Sequence, residues 1–455
     1  MTKIDIYQGN QIGGCVTVIS AEVDGKIHRI MIDYGASLAG SGKKEDFEYP
    51  WIEKPVDAVF FTHYHGDHIG RLIHIPSNIP LYMGDTARKV LINIKTALSK
   101  IPDKLEAKLH QEELKILLDE KRVKTFQWNR KTHVYDAIDE ISGFHIEPYS
   151  IDHSAYDAYM FLIEASDMQY EGGKKVILHT GDFRGHGRRG KAMIPMIQKY
   201  VHKNNRKVHS LIVEGTMMGR LDEKVKTETE MMFEAAKYMK KHQYTFLICS
   251  STNLDSLASF YQAAQMAACP FERYLYVYND YLKTQLKTFS DTAGSFSQIY
   301  QFHNVHRLNL NKRLKSLKWK TSMTQKELME KTGFLAIIKP EAGYEEFLNP
   351  FVEDFEAGII KEIPLIIYSM WDGYVEEDNK AKNQEWIDFL KKQEAKGVKI
   401  LHLHTSGHAE AKMLADVINA AAPQEEIRPM HTEYPKMFEK LEISEEYKKR
   451  IEYSQ

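Results

Sequence analysis

Short apolar runs, broken by glycines and polar turns, open the chain. Lys3 to Tyr7, Cys15 to Val23 and His28 to Asp33 follow one another, with Gly13-Gly14 and Asp24-Gly25 between them. Apolar segments punctuated in this way predict a β-meander with tight turns. Ala58-Val59-Phe60-Phe61 predicts a buried strand, and Thr86 to Arg122 predicts helix with long charged faces. Strands return between Lys124 and Ala165, and the unbroken runs Val176-Ile177-Leu178 and Leu211-Ile212-Val213 predict two more. After about residue 215 the pattern changes to Lys224–His242 as an amphipathic helix, Tyr244–Ser250 as strand, Asp255–Ala268 as helix and Tyr274–Tyr278 as strand. Phe334–Ile338, Ile363–Tyr368 and Lys396–His404 predict further strands, and Ala409–Ala421 a last helix. Such alternation predicts a parallel, doubly wound sheet, so the fold class is α/β.

A chain of 455 residues has room for two or three domains, at about 150 residues each. Apolar residues make up 43%, enough for a sizeable core, and the net charge is −2. Any phosphate-binding surface must therefore be a local patch. Cys15, Cys249 and Cys269 are odd in number and form no C-x-x-C pair. They read as reduced thiols in a reducing compartment. The N-terminus shows no basic stretch followed by an apolar one. No run approaches the roughly 20 apolar residues that a membrane span needs. These features predict a cytoplasmic protein.

The densest chemistry is Thr62-His63-Tyr64-His65-Gly66-Asp67-His68-Ile69-Gly70, directly after a predicted strand. Three imidazoles and a carboxylate so close together are costly unless a cation binds them. Histidine with aspartate suits zinc best, with manganese or iron as alternatives. Further candidates follow at strand ends: Asp33 before the loop, then His153 and Asp182 after it. Ends of neighbouring strands converge on one sheet edge, so these groups can meet. Two adjacent ions need about seven or eight ligand positions, one of them shared. Asp182 is the natural bridge because it stands apart from the histidine-rich loop.

Two basic segments stand out. Arg184-Gly185-His186-Gly187-Arg188-Arg189-Gly190-Lys191 follows Asp182 directly and suits a phosphate backbone, with Arg184 as a candidate substrate contact. Asn311 to Lys320 mixes cations with Trp319, as single-strand binders do. A solvated loop and an exposed helix face remain the alternatives. His179, His186, His402 and His404 read as packed or hydrogen-bonded histidines, and Cys15 as a small core residue.

The order Asp33, His63-x-His65-x-Asp67-His68, His153, Asp182 resembles the metallo-β-lactamase fold. Glu214 in Val-Glu-Gly-Thr, His408 in Ser-Gly-His-Ala and His431 in Pro-Met-His-Thr-Glu resemble the three extra motifs of its β-CASP branch. That branch comprises nucleic-acid nucleases, and the chain is most similar to ribonuclease J and related RNA-processing enzymes. The resemblance spans nearly the whole chain. It implies one ion on His63, His65, His153 and Asp182, and a second on Asp67, His68, Asp182 and His431. It implies His408 as general acid over the leaving group, with Glu214 holding its tautomer. Asp33 would orient a ligand or brace the loop. Ser406 and the Gly407 backbone would hold a phosphate oxygen.

The expected architecture is an αββα metallo-β-lactamase domain formed by residues 1–212 and 395–455. A parallel-sheet β-CASP domain is inserted at 213–394. The expected function is metal-dependent hydrolysis of RNA phosphodiester bonds, in a cleft between the domains, by water activated on two divalent ions, Zn²⁺ or alternatively Mn²⁺. The expected partner is single-stranded RNA and no membrane. In this branch the third extra motif is histidine in RNA-type members and typically valine in DNA-type ones, so His431 favours RNA. A single-strand DNA nuclease and a small-ester or thioester hydrolase are the alternatives. The chain ends soon after His431, without the C-terminal domain that supports dimers of ribonuclease J. The oligomeric state stays open between monomer and weak dimer.

Overall fold

In the computed structural model the described residues are 1–38, 47–292, 297–307, 331–379 and 381–453. The first six strands are β1 Lys3–Tyr7, β2 Val16–Val23, β3 Lys26–Ile32, β4 Ala58–Phe60, β5 Leu81–Met83 and β6 Val123–Thr125. They form one sheet in chain order. β2 and β3 are joined through Asp24 (φ +50°) and Gly25 (φ +75°), the two positive-φ positions of a two-residue hairpin turn. From β3 to β6 the strands run parallel, which requires crossover connections. Two of the helices in those crossovers are α1 Gly66–Ile69 and α2 Asp85–Leu98. The predicted helical stretch is in fact two helices, because Pro102 follows a break and Asp103 caps α3 Lys104–Leu118 by accepting from the N–H groups of Leu105 and Glu106.

A short hairpin, β7 Trp128–Asn129 and β8 Val134–Tyr135, leads into a second sheet. Its strands are β9 Phe144–Ile151, β10 Ala158–Ser166, β11 Lys174–His179 and β12 Ser210–Glu214. β10 is apolar along most of its length because both of its faces are buried. Phe161, Ile163 and Ala165 pack toward residues of the first sheet such as Ile19, Ile30 and Phe60. Met160 and Leu162 pack on the other side, against Met193, Ile197, Leu414 and Ile418. The outer layer there includes the helix Ala411–Ala421.

The chain divides into two compact units, one of residues 1–225 and 407–455, the other of residues 226–406. The second unit carries a six-stranded parallel sheet. Its strands are β13 Tyr244–Cys249, β14 Tyr274–Val277, β15 Val305–Arg307, β16 Phe334–Ile337, β17 Leu365–Ser369 and β18 Lys399–His402. The spatial order is β15-β14-β16-β13-β17-β18. The α/β alternation read from the sequence therefore matches this doubly wound arrangement. β18 pairs with β17 in this sheet, so the return to the first unit comes after it, at Gly407. The helix Glu228–Lys241 starts at a capping box between Thr227 and Glu230. The basic segment Asn311–Lys320 lies outside the described residues. The last strand, β19 Glu426–Met430, returns to the first unit and pairs parallel with β12. No described helix is long and apolar enough to cross a membrane.

Candidate metal centre

Strand direction explains why residues so distant in sequence meet. β9 and β11 both run antiparallel to β10, and β12 and β19 run parallel to β11. The carboxyl ends of all four therefore lie at one edge. His153 follows β9, Asp182 follows β11, Glu214 ends β12 and His431 follows β19. The parallel pair β3 and β4 delivers Asp33 and the His63–His68 loop. Asp33 (φ +60°) and His431 (φ +54°) both take left-handed backbone conformations as they leave their strands. Asp and His enter that region more readily than most residues.

Three ring nitrogens converge at one point. His63 Nε2 lies 3.0 Å from His65 Nδ1, which lies 3.2 Å from His153 Nε2. Nitrogens about 2.0–2.1 Å from a tetrahedral ion sit about 3.3 Å apart, so this spacing is that of shared ligands. The outward nitrogens are already engaged. His153 Nδ1 donates to the Gly407 carbonyl at 2.6 Å, and His63 Nδ1 lies 3.0 Å from Thr62 Oγ1. That hydroxyl lies 2.7 Å from Asp33 Oδ2, to which it can donate. The inward nitrogens then present lone pairs to each other, an arrangement that a cation satisfies.

A second group adjoins it. His68 Nδ1 donates to Asp33 Oδ2 at 2.7 Å, and its Nε2 lies 3.0 Å from Asp182 Oδ2. His431 Nε2 lies 3.2 Å from Asp67 Oδ2 and 3.8 Å from Asp182 Oδ2. Asp182 thus stands between the two groups, within ligand reach of His63 and His68 and of His153 and His408. Its Oδ1 is sealed from solvent and has no hydrogen-bond partner among the described residues. An orphaned carboxylate oxygen among imidazoles is what a bridging ligand looks like without its ions. The donor set of five histidines and two aspartates therefore fits two divalent ions. Nitrogen-rich ligands favour zinc over calcium or magnesium.

The electrostatics separate the histidines. Burial pushes His63 and His153 well below the ordinary imidazole value, and lowers His65 to about 4. They are neutral, as metal ligands must be. Burial also opposes charge on His68, but Asp182, Asp33 and Asp67 around it raise its pKa well above the usual value. Asp182 is opposed by burial too, and His431 and His68 hold its carboxyl well below the usual range. His408 is partly exposed, 3.5 Å from Glu214 Oε1 and 3.6 Å from Asp182 Oδ2. Burial lowers its pKa, yet Glu214 first and Asp182 next raise it overall.

The structure also shows which expected contacts do not form. Arg184 is fully buried and its Nε lies 3.3 Å from Asp152 Oδ1, while its backbone N–H donates to the Asp152 carbonyl. It braces the turn that carries His153 and does not face solvent, so the expectation of a substrate contact is corrected. Gly407 contributes its carbonyl, an acceptor, to His153. A side chain there would meet Ser154 Oγ at 2.5 Å. Ser406 is the last residue of the second unit. Asp33 holds His68 and accepts from Thr62 N–H at 2.8 Å, a bracing position. Glu214 accepts from the N–H groups of Ala409 and Thr216, which fixes its two oxygens.

Sequence reasoning missed Thr62 and Thr216, whose hydroxyls orient His63 and His431. Thr62 adjoins the histidine loop and was open to notice. Thr216 sits two residues past Glu214 and carries no signal until β12 and β19 are seen side by side.

Comparison with known proteins agrees at the level of the fold. Residues 23–81 match the model of the metallo-beta-lactamase superfamily. A crystal structure of a protein of unknown function from Enterococcus faecalis V583 is 18% identical, with a TM-score of 0.61 over 96% of this chain and 95% of that one. That likeness covers nearly the whole of both chains and is one of fold. Zinc-bound PqqB from Methylobacterium extorquens is 13% identical and matches 48% of this chain and 73% of its own, with a TM-score of 0.28. MEM-A1, a subclass B3 metallo-beta-lactamase from a soil metagenome library, is 14% identical over 46% of this chain and 75% of its own, with a TM-score of 0.26. No curated protein matches the chain.

Proposed function

We propose that this protein is a metal-dependent hydrolase that cuts phosphodiester bonds of single-stranded RNA. His63, His65 and His153 would hold one divalent ion, Asp67, His68 and His431 a second, and Asp182 would bridge them. Bound there, the ions would supply Lewis acidity and a water deprotonated near neutral pH. The carrying observation is the place of His408, a partly exposed imidazole 3.6 Å from Asp182 and 3.5 Å from Glu214 at the edge of the ligand cluster. Glu214 beside its Nδ1 would orient it and favour its protonated form, so that it would give a proton to a leaving alkoxide oxygen. Hydrolysis of a small ester needs no such group, since the superfamily's metal loop serves it alone. The choice of RNA rests on the resemblance of the Glu214, His408 and His431 strings to the β-CASP motifs, with histidine at the third. Glu214 beside His408, His408 beside Asp182 and His431 beside Asp67 are consistent with that reading.

The test uses matched RNA and DNA single strands of one sequence, with a 5′-monophosphate and an internal label, in zinc or manganese. RNA should be cut and DNA spared, and the product ladder separates cleavage from an end from internal cleavage. Asp182→Ala and His408→Ala should each lower the rate about 10²-fold or more, but only the first should lower the metal content of the purified protein. Equal metal in both variants would remove Asp182 as bridge. Cleavage of DNA instead would make this a single-strand DNA nuclease. No cleavage by protein that holds two ions would point to a small-ester or thioester hydrolase.

A further inference from the structure

We infer that Thr216 is a positioning residue that locks His431 in the one tautomer able to bind the second ion. The inference rests on the two-ion reading above. His431 is fully buried and its ring has two edges with different partners. Nδ1 lies 2.9 Å from Thr216 Oγ1, and the same hydroxyl donates to the His431 carbonyl at 3.3 Å. A hydroxyl has one proton to give. With that proton spent on the carbonyl, Oγ1 can only accept from the ring, so the ring proton sits on Nδ1. Nε2 is then a lone pair. It accepts from Gly13 N–H at 3.1 Å and faces Asp67 Oδ2 at 3.2 Å. The opposite tautomer would set Nε2–H against Gly13 N–H and would draw the Thr216 proton to Nδ1, away from the His431 carbonyl.

Thr216 is held in turn by its backbone. Its N–H donates to Glu214 Oε2 at 2.8 Å, and Glu214 Oε1 lies 3.5 Å from His408 Nδ1. The register of the parallel pair β12 and β19, with Glu214 beside Met430, sets Thr216 next to His431. One short turn, Glu214-Gly215-Thr216, thus orients both the histidine over the site and the histidine beneath it. Removing groups that orient a metal-binding histidine typically weakens binding 10- to 100-fold.

The experiment is a cobalt(II) titration of the metal-free full chain, followed by visible absorption. Wild type should take up two ions in two steps. Thr216→Val, which keeps the shape and removes the hydroxyl, should take the first ion as wild type does. It should bind the second about 10- to 100-fold more weakly. Thr216→Ser should restore the second step. A valine variant that binds both ions as tightly as wild type overturns the inference, and so does a serine variant that fails like valine. Should the valine variant lose the first ion too, Thr216→Ala removes the same hydroxyl with less bulk and is judged by the same two outcomes. A wild type that binds one ion overturns the two-ion reading and this inference together. Failure to cut RNA by a protein that binds two ions leaves this inference standing and removes only the substrate.

Discussion

A neutral imidazole carries one proton, and the partner of its outer nitrogen decides where that proton sits. Thr62 does this for His63, Gly407 for His153 and Thr216 for His431, while Asp33 fixes the ring of His68. The partners lie up to 254 residues away in sequence, so the motif alone does not display them. His179 shows the same logic off the metal path. Its Nδ1 accepts from Gly181 N–H at 3.1 Å, its Nε2 lies 3.3 Å from Thr17 Oγ1, and burial lowers its pKa to about 4. Unfolded, it titrates near 6.5. Between those values the unfolded chain binds the extra proton, so stability rises with pH and is lost as pH falls below about 6.5. From pH 7 to pH 5 the loss is about 2 kcal/mol. His179→Asn, which keeps an acceptor for Gly181, should lack this term. In urea titrations at both pH values, its stability relative to wild type should gain about 2 kcal/mol at pH 5.

At the scale of elements, the site depends on where loops are pinned. α2 begins at Gly84, which has no side chain to cap it. Asp157, the residue before β10, takes that place by accepting from Ala87 N–H at 2.9 Å and from the Tyr159 hydroxyl at 2.7 Å. A residue other than glycine at position 84 would press its Cβ to 2.1 Å from Asp157 Oδ2. Tyr156 N–H donates to the Tyr64 hydroxyl at 3.0 Å, so the loop after His153 is tied to α2 and to the histidine loop together. Loss of a helix N-cap costs about 1 kcal/mol. Asp157→Ala should destabilise the protein by about 1–2 kcal/mol, read as a lower urea midpoint, and Asp157→Asn by less. The capping box at Thr227 and Glu230 was open to sequence reading because its members are three residues apart. The cap at Asp157 was not, because donor and acceptor lie 70 residues apart.

For the whole molecule, the ligands tie together both chain segments of the first unit. Among the described residues the candidate ligands run from His63 to His431 and all belong to the first unit. Ions bound only by the folded state stabilise it by about 2.7 kcal/mol per site at a free concentration 100 times Kd. Removing them with a chelator should therefore lower the unfolding temperature of the full chain in scanning calorimetry. Asp182→Ala should start at the lower temperature and respond little to chelator. An unchanged wild-type temperature after complete metal removal would mean that the centre contributes nothing to holding the segments together.

The linear pattern determined much of this protein. The alternation of apolar runs and glycine turns located most of the strands, and the α/β alternation after residue 215 matched a parallel sheet. The His63–His68 loop, His153 and Asp182 stood out as candidate ligands because strand ends and histidine clusters are local signals, whereas His431 was recognisable only through the resemblance. Only the tertiary structure decided what each group touches. It turned Arg184 inward onto Asp152, placed β18 in the second unit's sheet, and set Thr216 against His431. These outcomes depend on strand register and on contacts between residues far apart in the chain. The free energy of such contacts is set by packing and hydrogen-bond geometry, which a one-dimensional pattern does not carry.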